Sequence, residues 1–144
     1  METRIERAQP IDTEAVLVLL AQNGLPTEGL REHFTTTVVA RDRGRLVGSA
    51  ALELYPDGAL LRSVAVSREE QGRGLGHQLT DAAIRLAQDV GAPAIYLLTT
   101  TAEGFFPKFG FERIARAEVP ASVRTSVEFT SACPSTATVM RKSL

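Results

Sequence analysis

Three features of this chain carry groups able to do chemistry. The first is Gln71-Gly72-Arg73-Gly74-Leu75-Gly76, with a glycine at every second position. Glycine has no Cβ, so successive N–H groups of such a loop can turn into one concavity. A helix starting there adds unpaired N–H donors and the positive end of its dipole. Together they suit a diphosphate, to which Arg73 could add charge and His77 could reach from the first helical turn. An exposed histidine without a ligand is the plainer alternative for His77. The second feature is Glu53, a carboxylate within an apolar run, and the third is Arg62 in the run that follows. A buried carboxylate needs a partner or a task. Glu53 is either a proton acceptor or the ion-pair partner of Arg62, and Arg62 is a bidentate clamp for a substrate carboxylate, that pair's cation, or both.

The glycine loop fits neither common phosphate loop. Gly-Lys-Ser/Thr after four spacers is absent. A dinucleotide fingerprint needs glycine at 77, where His77 stands, and needs its glycines directly after a strand, whereas residues 67–71 intervene.

Positioning these groups falls to a mixed α/β arrangement. Residues 4–8 form a short strand. Asp12 is the expected N-cap of a helix whose stripe is Ala15, Val16, Leu19 and Leu20, and Asn23-Gly24 stops it. One further helical turn is expected within residues 25–33. Residues 35–41 and 46–55 form a hairpin around a short glycine-containing turn, and Pro56-Asp57-Gly58 leads into a third strand, residues 59–66. Alternation puts Ala51, Glu53 and Tyr55 on one face of the middle strand, and groups Arg62 with Leu60, Val64 and Val66 on the next. Leu75, Leu79, Ala82, Ala83, Leu86, Ala87 and Val90 mark an amphipathic helix ended by Gly91 and Pro93. Residues 94–99 are a buried strand parallel to 59–66, because a helix crosses between them. A short helix over 102–109, interrupted by Pro107, and closing strands at 111–114 and 136–141 complete the order. A helical turn is expected near 121–125. At the C-terminal end of the buried strand, Thr100 and Thr101 are candidate substrate contacts, with Thr101 as helix N-cap the plainer alternative. Arg124 and Glu128 are surface residues or contacts to a polar substrate.

The totals bound what such a site can serve. The chain has 144 residues, 16 Lys+Arg against 17 Asp+Glu, and 44% hydrophobic residues, which suits one domain over 1–144 with its own core. A net charge of −1 argues against a general nucleic-acid binder. Cys133 is the only cysteine, which rules out an intrachain disulfide framework, and with only His33 and His77 besides no metal centre is expected. The apolar run at 15–21 is too short to span a bilayer and follows Asp12 and Glu14, not basic residues, so a cytoplasmic protein without a membrane partner is expected.

Val64-Ala65-Val66 followed by Gln71-x-x-Gly74-x-Gly76 resembles the acetyl-CoA motif of the GNAT family of N-acetyltransferases, and Phe105-Phe106-x-x-Phe109-Gly110-Phe111 resembles that family's second motif. The element order agrees across nearly the whole chain. The resemblance implies a central, mostly antiparallel sheet with a splayed parallel strand pair, flanked by helices. It implies acetyl-CoA as co-substrate. The backbone of Val64, Ala65 and Val66 would hold its pantetheine as an added strand would be held. The Val64 N–H would polarise the thioester carbonyl, residues 71–76 would hold the pyrophosphate, and Phe106 and Phe109 would flank the thiol. Glu53 is then the preferred base toward a small-molecule amine, an amino acid or an analogue of one. Many members place a tyrosine acid where Phe106 stands, and a benzyl group cannot donate a proton. Thr99-Thr100-Thr101-Ala102-Glu103-Gly104-Phe105-Phe106, with Val119-Pro120, Glu128-Phe129 and Cys133-Pro134, resembles the arsenic-resistance branch, which is related to the acetyltransferase domain of N-acetylglutamate synthases. That implies an arsenic-containing amino-acid analogue as one acceptor; a single thiol, Cys133, makes a poor arsenic ligand set. A homodimer is also implied. A protein or peptide acetyltransferase and a non-catalytic acetyl-CoA sensor are the alternatives.

Overall fold

Alternating apolar runs and glycine-rich turns build one sheet in this protein. Its structure is a computed structural model that describes residues 3–144. The chain runs β1 (Thr3–Arg7), α1 (Thr13–Gln22), β2 (Thr37–Asp42), β3 (Arg45–Tyr55), β4 (Gly58–Val66), α2 (Leu75–Asp89), β5 (Ala94–Thr99), β6 (Glu112–Ile114) and β7 (Thr138–Ser143). The sheet order is β1-β2-β3-β4-β5-β7-β6. β4 and β5 are parallel and the other neighbours antiparallel, as expected of a mostly antiparallel sheet with one parallel pair. The β2–β3 turn has Arg43 at φ 54° and Gly44 at φ 81°, the left-handed pair that matches strand twist in a two-residue hairpin.

Successive residues of β3 enter different cores, as a pleated strand requires. Ala50 and Leu52 pack with Leu75, Leu79, Ala83 and Ala87 of α2, whereas Ala51 packs with Val16, Leu19 and Leu20 of α1. α2 follows its expected stripe except at Val90, which lies past the helix and is exposed; Ala15 of α1 is exposed too. Asp12 precedes α1 as expected, but its side chain does not cap it. The carboxylate accepts from the Gln9 N–H at 2.8 Å and from Arg41 Nη2 at 2.6 Å, because Arg41 offers a stronger charge-assisted bond. The turn expected within 25–33 appears as a 3-10 segment, Leu30–Thr36.

The feature that shapes the site is a β-bulge in β4. Between the pairs Ser49↔Ala65 and Ala51↔Arg62, β4 carries one residue more than β3. The bulge falls at Ser63, a non-glycine residue at φ 60°, and Ser49 Oγ donates to the Ser63 carbonyl at 2.8 Å. It corrects the expected alternation. Val64 and Val66 join Ala59 and Leu61 on the α2 side, while Arg62 shares the opposite face with Leu60 and Ala65. The ladder between β4 and β5 holds only at Ala59↔Ile95 and Leu60↔Tyr96, after which the strands part.

Beyond β5 the expected helix over 102–109 is only a 3-10 turn, Phe106–Phe109, closed by Gly110 at φ 92°. Pro107 at its start supplies no N–H, which keeps the segment short. Between β6 and β7 the chain leaves the sheet for residues 115–137. This excursion contains the 3-10 turn Val123–Thr125, near the expected position, and a single π turn, Glu128–Ala132, with the Cys133 N–H on the Glu128 carbonyl at 3.2 Å. Val119 and Val123 pin it against Leu60, Tyr96 and Val139. Among the described residues no helix is long and apolar enough to cross a membrane.

Candidate active site

Where β4 and β5 separate, a cavity of about 710 Å³ opens. One wall is the edge of β4, residues 61–66, and the opposite wall is the end of β5 with Thr100, Thr101, Ala102, Phe105 and Phe106. Residues 23–26 and, from the excursion, Glu128, Ala132, Cys133, Pro134 and Ala137 close the rest. Beyond Leu60 this edge of β4 has no ladder partner in β5. The backbone of Val64, Ala65 and Val66 therefore borders the cavity as an open strand edge.

A second hollow, of about 350 Å³, adjoins it, with Val66, Gln71, Gly76 and Phe105 lining both. Its floor is the glycine loop and the start of α2: Gly72, Gly74, Leu75, Gly76 and His77. Gly72 at φ 88° and Gly74 at φ 80° hold a conformation that strains any side chain, although a Cβ at either would meet nothing within 4 Å. Leu75 contributes backbone only, since its side chain is buried in the core. Gln71 Nε2 donates to the Val66 carbonyl at 3.1 Å and ties the loop to β4. His77 packs on Phe109, with ring centroids 4.6 Å apart, and its Nε2 lies 3.3 Å from Asp81. Arg73 departs from expectation. Its guanidinium bonds the buried Glu70 and lies 3.6 Å from Asp42, so it braces the loop from below and does not line the hollow. Lys108, which sequence reasoning passed over, does line it, its Nζ 5.4 Å from the Phe105 ring centre. Phe106 is buried edge-on between Phe105 and Phe111, with no hydroxyl to offer the cavity. Thr100 and Thr101, the candidate substrate contacts, line the cavity; Thr101 caps no helix, since Thr99 Oγ1 accepts the Ala102 N–H at 2.9 Å and the 3-10 turn Phe106–Phe109 has no side-chain cap.

Glu53 and Arg62 meet in a buried polar cluster beside the cavity. Arg62 Nη1 donates to Glu53 Oε2 at 2.8 Å, with both side chains at most 1% exposed. Arg62 Nε bonds Ser63 Oγ at 3.0 Å and lies 3.4 Å from Glu128 Oε2, while Nη2 reaches the Pro26 carbonyl at 3.3 Å. Arg62 is thus the cation of the expected ion pair with Glu53, and these three bonds use three of its five N–H groups. Tyr55 Oη donates to Glu53 Oε1 at 2.5 Å, and His33 Nε2 stands 3.8 Å from the same oxygen. Burial disfavours charge on Glu53, but hydrogen bonds from Ser126, Tyr55 and Arg62, with His33 nearby, outweigh it and hold its pKa below the ordinary carboxylate range. A carboxylate so saturated is a weak base, and Glu53 does not line the cavity.

Glu128 shifts the other way. Burial pushes its carboxyl up to about 7; Arg62 opposes the shift, Glu53 adds to it, the Cys133 thiol bonds the carboxylate, and Glu28 adds a smaller repulsion. Burial and the neighbouring Glu128 push the Cys133 thiol up to about 12, so it stays a protonated donor. Glu128 is 4% exposed yet lines the cavity. The sequence leaves it as a surface residue or a contact to a polar substrate, and its burial excludes the first; the one signal for it is that Glu128 is the sole charge within residues 125–140.

Residues 33–113 match the family model of the acetyltransferase (GNAT) domain. This chain belongs to the GNAT acetyltransferase family. The match takes in Glu53, Arg62, Val64, the glycine loop, Phe106 and Phe109, and it ends before the excursion that carries Glu128 and Cys133. Among sequence relatives, an amino-acid acetyltransferase of Mycobacterium tuberculosis is 32% identical over 80% of this chain and 66% of its own length. An uncharacterized N-acetyltransferase of Chlorobaculum tepidum is 29% identical over 67% of this chain and 62% of its own. The chain thus spans just under two thirds of these curated relatives. Among solved structures, Rv2747 of Mycobacterium tuberculosis in complex with CoA superposes with a TM-score of 0.83 at 26% identity, covering 98% of this chain and 99% of that one. N-acetylglutamate synthase of Neisseria gonorrhoeae, complexed with coenzyme A and N-acetyl-glutamate, gives 0.84 at 22% identity, covering 99% of this chain and 35% of that one. Within the GNAT fold, the parted strands and the loop hollow lie side by side.

Proposed function

We propose that this protein is an acetyl-CoA-dependent N-acetyltransferase acting on the amino group of a small molecule, an amino acid or an analogue of one. The parting of β4 from β5 after two rungs carries this reading, since it leaves a strand edge with no ladder partner along a cavity. The residues fit the co-substrate. The backbone of Val64, Ala65 and Val66 would take the pantetheine amides as strand partners. Gln71, Gly72, Gly74 and Gly76 with the start of α2 would take the pyrophosphate, with Lys108 and His77 on the rim. Phe105 and Phe106 would wall the thiol end, whereas Phe109, expected there too, is buried against His77 and Phe105 and lines neither hollow; when bound, acetyl-CoA supplies the activated acetyl group. The Val64 N–H is the donor we assign to its carbonyl. Thr100 and Thr101 are assigned to the acceptor.

The relatives favour an amino-acid acceptor, one being named an amino-acid acetyltransferase. Residues 23–26 with Glu128, Ala132, Cys133 and Pro134 would wall the acceptor end, which suits a small molecule better than a peptide. The test is thiol release from acetyl-CoA against a panel of amino acids, glutamate-like phosphinates, arsenic-containing analogues and a peptide with a free N-terminus. Amine-dependent release strongest with an amino acid or analogue is expected. Tight acetyl-CoA binding with no release on any amine would instead mark a sensor, and preference for the peptide a protein acetyltransferase.

A further inference from the structure

We infer that Glu128 accepts the proton of the acceptor amine, and that Arg62 and Cys133 are positioning residues that hold its carboxylate at the cavity wall. The inference rests on the acetyltransferase reading. Among the described residues Arg62 and Glu128 are the charged side chains lining the cavity, and every nitrogen of Arg62 already has a partner. An ammonium entering the cavity therefore meets one carboxylate there. Glu53 is behind Arg62 in the hydrogen-bond chain, with Oε1 on Tyr55 and Oε2 on Arg62. The π turn that carries Glu128 is a local irregularity of a kind often found at functional sites.

The step balances. Glu128 takes one proton from the acceptor ammonium, which frees the nitrogen lone pair. As the C–N bond forms, the thioester C–S bond breaks. The thiolate takes the second proton leaving nitrogen, and Glu128 returns its own proton to water, so one proton is released per amide formed. Near neutral pH an amino acid is still protonated and Glu128 is poised to ionise, the match of donor and acceptor that general-base catalysis needs. The groups facing Glu128 are Arg62 from β4, Glu53 from β3, Cys133 from the end of its own turn, and Glu28 from the loop before Leu30.

The pH profile of kcat/KM, measured with acetyl-CoA binding by calorimetry, tests this. Wild type should show a rising limb centred near pH 7. E128Q should bind acetyl-CoA normally, lose about 10²–10⁴-fold in kcat and lose that limb. E53Q should keep the limb but move it to lower pH, because a repelling charge is gone. C133A should move it to higher pH, and C133S, which keeps a donor, should restore it. An E128Q enzyme within threefold of wild type with its limb intact would overturn the inference, as would loss of the limb in E53Q alone. If E128Q fails to bind acetyl-CoA, the two shifts decide, and limbs unmoved in both E53Q and C133A would overturn it. Wild type inactive on every amine would instead overturn the function itself.

Discussion

Two carboxylates share one guanidinium, and their surroundings drive them apart. Glu53 has its oxygens filled by donors and stays charged; Glu128 has fewer donors and resists charge. Their effects on stability therefore have opposite signs. Glu53, with its folded pKa depressed, stabilises the fold above the ordinary carboxylate range, and this is lost as pH falls through its folded value. Glu128, raised from 4.5 to about 7, contributes stability that is complete below the unfolded value and lost as pH rises through 7. Urea melts of E128Q should thus exceed wild type by about 1–3 kcal/mol at pH 8 and match it near pH 4.5. Equal stability at pH 8 would mean that Glu128 is charged without penalty. Strand alternation and the juxtaposed runs made the Glu53–Arg62 pair legible in the sequence. The role of Glu128 was not legible, because a π turn has no periodic signature. Nor was the direction of Arg73, which Glu70 and the distant Asp42 decide.

At the level of elements, one inserted residue does most of the shaping. The bulge at Ser63 reverses which side chains of β4 face α2, and the ladder with β5 has ended by the residue before Arg62. Ser49, fully buried, supplies the hydroxyl that satisfies the carbonyl at the bulge. S49A should cost about 1–3 kcal/mol, since a buried acceptor loses its partner. It should also weaken acetyl-CoA binding, read by calorimetry, by loosening the strand edge. A variant with unchanged melting and unchanged binding would show the bulge to be held by the backbone alone. Periodicity found every strand and both long helices, since it reports burial on a regular lattice. It misassigned the faces of β4 because a bulge shifts the phase without altering composition, and Ser63 is not a residue that advertises a positive φ. That Thr99 and not Thr101 takes a backbone N–H was hidden similarly, in a run of three threonines whose order of use depends on where β5 ends.

At the scale of the molecule, the sheet has one open seam and the ligand proposed for it would bridge both sides. Acetyl-CoA at a hundred times its dissociation constant should add about 2.7 kcal/mol to the unfolding free energy and raise the melting temperature by about 5–10 °C. A thermal scan showing no shift at saturating acetyl-CoA would argue that the seam is closed in solution. The right-handed helical crossover made the parallel pair legible from element order alone. The insertion of β7 between β5 and β6 was not legible, because pairing among short closing strands is set by tertiary packing. That insertion has a consequence for how such a protein diversifies. β6 and β7 are adjacent, so residues 115–137 leave and rejoin the sheet at neighbouring rungs. Such a stretch behaves as a cassette, since lengthening a closed loop costs little entropy. Descendants of this chain could retool which amine they accept by exchanging that stretch wholesale, while the grip on the carrier of the acetyl group is inherited unedited.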